Sequence, residues 1–93
     1  MPLPEDLIVE LNALDDPAIY ASLADAAEAE ERGEKDPYRH LRRWLELNSK
    51  WEPDPAWVID CISKAVNVSL VRQAQRAIKI RALRDRIKEL PRE

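Results

Sequence analysis

The sequence predicts an all-α protein, a compact bundle of about five helices whose last member is long and basic. Three observations carry this. The chain holds one glycine and no phenylalanine, and it is rich in Ala, Leu, Arg and Glu, which favour helices over the β-branched and aromatic residues that strands prefer. The dipeptide Asp-Pro occurs at 16–17, 36–37 and 54–55, each time ahead of a helical pattern. Apolar residues recur at three- and four-residue spacing along most of the chain.

Asp-Pro marks a helix start for a physical reason. The Asp carboxylate accepts hydrogen bonds from backbone N–H groups that the first turn leaves unpaired, and Pro at the first helical position gives up an N–H that had no partner. The first helix is expected from about Glu5 to Leu14, with Leu7, Ile8, Leu11 and Leu14 on one face and Glu5 and Asp6 at the positive end of its dipole. The second should run from Pro17 towards Gly33, the natural C-terminal stop. Ile19, Tyr20 and Leu23 hold it down, and its end beyond Ala27 should fray. The third is expected from Pro37 to about Ser49, with Tyr38, Leu41 and Leu45 as its core stripe. The fourth, from Pro55 to about Val66, carries Val58, Cys61, Ile62 and Ala65 on one face, widened by Trp57, Ile59 and Val66. That breadth predicts a central, deeply buried helix. After a break at Asn67-Val68, Ser69 caps a last helix reaching about Leu90, and Pro91 ends it.

Ninety-three residues suit one domain spanning 1–93, which buries about 60–70 % of the unfolded chain's surface, with 80–93 free to project as a helical extension. With 45 % hydrophobic and 35 % charged residues, the chain is too apolar for a disordered tail and too charged for a membrane protein. No apolar run approaches the roughly 20 residues that span a bilayer, and the N-terminus lacks a secretory pattern. A cytoplasmic location is therefore expected, consistent with a lone cysteine, Cys61, that cannot form an internal disulfide.

Charge is divided along the chain. Residues 1–38 hold eleven acids against two bases, and residues 39–93 hold thirteen bases against seven acids. Either the acidic first helices neutralise the basic last one within the fold, or each pole meets an oppositely charged partner. The overall pI near 5.2 argues against a chain that coats nucleic acid.

The last helix changes face. At about 100° per residue, Leu70, Val71, Ala74, Ala77 and Ile78 share one side, whereas Ile80, Leu83, Ile87 and Leu90 lie nearly opposite. Either the helix kinks near Lys79 or its halves meet different surfaces. The 3-4-3 spacing of Ile80, Leu83, Ile87 and Leu90 matches a short heptad seam, which would pair with a second copy or with a partner helix unless the N-terminal helices cover it.

Helix four, the turn at 66–69 and the last helix have the layout of a helix-turn-helix, with Arg72, Gln73, Gln75, Arg76 and Lys79 turned to DNA. Against this, Gln73 and Arg76 fall where that motif needs apolar residues to lock its second helix.

Catalytic chemistry finds little to work with. His40 and Cys61 are the only members of their kinds and are expected on a surface and in a core, so a Cys/His pair lacks a constellation. A zinc site would need about four ligands, and one glycine cannot build a phosphate loop. No metal and no cofactor are expected. Trp44, Leu47 and Trp51 form an apolar strip beside the core stripe of helix three, flanked by Arg43, and such a strip, if exposed, is a hot spot for a protein partner. The functional expectation is a non-enzymatic protein-interaction module, an adaptor, inhibitor or small regulatory subunit. The alternative is a DNA-binding regulator that dimerises through its last helix.

Overall fold

In a computed structural model of the protein, which describes residues 3–90, the chain forms α1 (Glu5–Asn12), α2 (Pro17–Glu31), α3 (Arg39–Leu47), α4 (Pro55–Lys64) and α5 (Val68–Glu89). No strand occurs among the described residues. The all-α fold is thus as the composition predicts, with five helices packed against one another and the last one long.

Two of the three Asp-Pro pairs act as caps. Asp16 Oδ1 accepts from the Ala18 N–H at 2.9 Å and Asp54 Oδ1 from the Ala56 N–H at 3.0 Å, with Pro17 and Pro55 at the first helical positions. The third does not. α3 begins two residues later, at Arg39, with Tyr38 at its N-cap and no side-chain cap bond. The Asp36 carboxylate is engaged instead by the Arg42 guanidinium. Nor does Ser69 cap the last helix, which starts one residue earlier, behind a left-handed Asn67. The expected stop at Pro91 lies outside the described residues.

The end of α2 is held rather than frayed. Ala26 and Ala29 are buried, so small residues contribute a packing face that the larger apolar residues did not reveal. Glu30 accepts a hydrogen bond from the Tyr38 hydroxyl, and the N–H groups of Gly33 and Glu34 close on the carbonyls of Glu30 and Ala29, each at 3.0 Å. Gly33 takes φ +73, the left-handed geometry such a closure requires.

α5 is continuous and packs against α1, α3 and α4, and α4 packs on no helix but α5. Two cores result. The larger joins Leu3, Leu7, Leu11, Leu14, Ile19, Leu41 and Leu45 to Ile80, Leu83 and Ile87 of α5. The smaller consists of Val58 and Cys61 of α4 with Val71 and Ala74 of α5, flanked by Trp57 and Ile78. The change of face on α5 is the passage from one core to the other, achieved without a break in the helix.

That arrangement reverses two expectations. α4 is peripheral, because a helix with a single neighbour can bury only one stripe. The segment 80–89 is not a projection either, since Ile80, Leu83 and Ile87 lie in the larger core. It is α4 and the first half of α5, joined by residues 65–67, that pack on each other as a helical hairpin apart from the larger core. The molecule is accordingly long, 51 × 23 × 22 Å with a radius of gyration of 15.2 Å, against about 12 Å for a compact domain of this length.

Candidate interaction surface

The heptad stripe is consumed inside the chain. Leu83 is 1 % exposed, and Ile80, Leu83 and Ile87 pack with Leu7, Leu11, Leu41 and Leu45, while Leu90 is partly buried against the same cluster. The helices that cover the stripe are α1 and α3, through the buried leucines of each. A seam for a second copy is therefore not presented at these four residues.

The charge division is partly settled the same way. Arg86 of α5 meets Asp6 at 2.8 Å and Glu10 at 3.1 Å on α1, and Arg76 meets Asp16 at 3.1 Å. The Arg86 guanidinium holds the Asp6 carboxyl below the ordinary carboxylate range, and Asp6 in turn raises Arg86. Lys88 likewise lowers Glu46 through a 2.6 Å contact. Arg81 and Arg84 turn to the α3–α4 loop: Arg81 donates to the Ser49 carbonyl at 2.7 Å and Arg84 to the Ser49 hydroxyl at 3.2 Å. Ser49, which the sequence did not single out, is the one buried polar residue of the described chain. The two arginines supply donors to its carbonyl and hydroxyl oxygens, and the hydroxyl itself donates to the Glu46 carbonyl at 3.3 Å, so its buried polar atoms are satisfied.

Of the helix-three strip, Trp44 is partly buried against the larger core, whereas Leu47 and Trp51 remain 54 % and 44 % exposed. Arg43 is exposed beside them. The strip is thus split, with an anchored tryptophan and two outward residues.

The largest concentration of exposed apolar side chains lies elsewhere, on the α4–α5 hairpin. Ile59, Ile62, Val66, Val68 and Leu70 are between 41 % and 64 % exposed. Between the two helices runs a groove of about 330 Å³, lined by Cys61, Ile62, Ala65 and Val66 on one side and by Val68, Val71, Arg72 and Gln75 on the other. Helical periodicity explains the geometry. Val58 and Cys61 are one turn apart and face α5, so Ile59 and Ile62, each one residue further on, fall on a neighbouring stripe that stays exposed, and Val66 follows the left-handed Ala65 just past the end of the helix. The available signal in the sequence was the excess width of this helix, read as depth of burial when it reflects two faces, one covered and one open.

Arg72, Gln73, Gln75 and Lys79 are exposed on the first half of α5, but Arg76 is only partly so and is bound to Asp16. The structure brings Arg72 and Gln75 to the groove and diverts Arg76 to the α1–α2 junction. His40 is exposed and Cys61 buried, and no cluster able to hold a metal ion occurs among the described residues. No described helix is long and apolar enough to cross a membrane. Comparisons with protein families, with characterised proteins and with solved structures find nothing that matches this chain.

Proposed function

We propose that the protein is a non-enzymatic interaction module, an adaptor, inhibitor or small regulatory subunit, that binds another protein through the α4–α5 hairpin. One observation carries the reading: α4 rests on α5 alone and leaves Ile59, Ile62 and Val66 in solvent. A ten-residue helix is marginal by itself in water, and contiguous exposed apolar surface on a soluble fold marks a contact site more often than a decoration. The remainder of the chain serves as a platform, since the larger core fixes the second half of α5 and thereby holds the hairpin out. Leu47 and Trp51 offer a lesser contact at the other side of the loop 48–54.

The test is differential capture from an extract of the host. An Ile62→Glu/Val66→Glu chain should lose a bound protein that wild type and a Leu47→Glu/Trp51→Glu chain both retain. Retention by the hairpin variant at wild-type level overturns the reading.

DNA binding is the second reading, favoured by the exposed side chains of Arg72, Gln73, Gln75 and Lys79 behind a left-handed Asn67. It requires affinity for duplex DNA that falls steeply with salt, with a shallower slope in Arg72→Ala.

A further inference from the structure

The charges beside the hairpin groove differ from those on the rest of α5. Arg76, Arg81, Arg84, Arg86 and Lys88 each meet a carboxylate of the chain. Among the described residues, Arg72 and Lys79 are the basic side chains of α5 in no ion pair, and both are exposed. They are seven residues apart with Gln75 between them, so Val68, Arg72, Gln75 and Lys79 form one row along the helix. Opposite, Ile59 and Ile62 of α4 and Val66 of the turn that follows it expose apolar side chains, and the charged Asp60 and Lys64 of α4 neutralise one another at 3.2 Å. The floor, Cys61 and Val71, is buried and apolar.

Building on the hairpin reading above, we infer that this groove seats an acidic amphipathic helix of a partner protein. Its apolar residues at i, i+3, i+4 and i+7 lie on Ile62, Val66 and Val68, and its carboxylates along one flank meet Arg72 and Lys79. Helix-in-groove docking suits a surface made of two helical ridges. Residues 68 to 79 span about 16 Å of helix axis, enough for about three turns of a bound helix. Charge complementarity selects the occupant: a second hairpin would bring its own unpaired Arg72 and Lys79, whereas an acidic helix neutralises both.

The probes are two 18-residue helical peptides with the same leucine stripe, one bearing glutamates on a flank and the other lysines, titrated into the isotope-labelled full chain. The glutamate peptide is expected to shift amide resonances of α4 and of residues 68–79, and to bind at least tenfold more tightly than the lysine peptide. An Arg72→Glu/Lys79→Glu chain, altered only at exposed positions, is expected to invert that preference, which an unfolded chain could not do. Equal binding of both peptides at the hairpin overturns the charge assignment while leaving the hairpin a docking surface. Shifts in neither case, or a concentration-dependent dimer that Ile62→Glu dissociates, or duplex DNA displacing the acidic peptide from a tighter complex, each overturn the inference.

Discussion

Asp16 serves two structures with its two oxygens: Oδ1 accepts from the Ala18 N–H at 2.9 Å to cap α2, and Oδ2 lies 3.1 Å from Arg76 Nη2 on α5. Arg76 also reaches the Leu14 carbonyl at 3.5 Å. A single carboxylate thereby fixes the α1–α2 corner against the middle of α5, near the passage between the two cores. Asp16→Ala removes cap and pair together and is expected to cost about 1–2 kcal/mol, mostly from the cap. Asp16→Asn keeps an acceptor for the Ala18 N–H and loses only the ion pair, so it should cost under about 1 kcal/mol. Urea unfolding of the two variants separates the contributions, and equal losses would show that the pair rather than the cap dominates.

Leu83 sits among Leu7, Leu11, Leu41 and Leu45 with 1 % of its surface exposed. Leu83→Ala is expected to destabilise by about 2–5 kcal/mol, the range for a large-to-small change in a packed core. Leu83→Asp should abolish cooperative unfolding, because an unpaired carboxylate has no partner there. If light scattering instead shows a folded chain of reduced mass after Leu83→Asp, the stripe mediates assembly and its packing inside the chain is wrong.

The helices were legible in the sequence because their signals are local. Asp16-Pro17 and Asp54-Pro55 act through backbone groups one or two residues away, and the leucine spacing of α1 and α3 is intrinsic to each segment. The failure of Asp36 to cap was not legible, since Arg42 takes its carboxylate across a turn. The position of α4 depends on how many neighbours reach it, a tertiary quantity that a wide apolar face does not encode. The same limit concealed the interaction surface: the sequence puts Ile62 on one face with Val58 and Cys61, widened by Ile59 and Val66, and does not show which of these a neighbouring helix leaves uncovered. The change of face on α5 was the more informative feature. Its two stripes are both internal, one in each core, although Leu70 of the first is exposed.

Acid should weaken the contacts that the first and third helices make with the last. The Asp6 carboxyl lies below its ordinary value of 3.8 because Arg86 hydrogen-bonds it, and Glu46 below 4.5 because of Lys88. Both values are lower in the folded chain, so the folded state binds fewer protons in this range. Their stabilisation is complete above the ordinary values and disappears as pH falls below about 4.5 and through the lowered values. An Asp6→Asn/Glu46→Gln chain is therefore expected to be less stable than wild type at pH 7 and to approach it at pH 2–3. Urea midpoints across that range check this, and a constant difference at all pH values would refute it.

Ala65 closes α4 in the left-handed conformation, φ 53, with its N–H on the Ile62 carbonyl and the Val66 N–H on the Cys61 carbonyl, each at 3.1 Å. This is the position helices usually give to glycine, and a side chain there costs about 1–2 kcal/mol. Ala65→Gly removes that strain but frees the unfolded chain, which offsets about 0.4–1 kcal/mol. A net gain of about 0.5–1 kcal/mol is expected. Because α4 has one helical neighbour, the gain should concentrate there: wild-type amides of residues 58–64 exchange faster than those of residues 80–87, and the substitution narrows the gap. Uniform protection of both segments in wild type would mean that the hairpin opens only with the whole molecule, and that the smaller core is as firmly held as the larger.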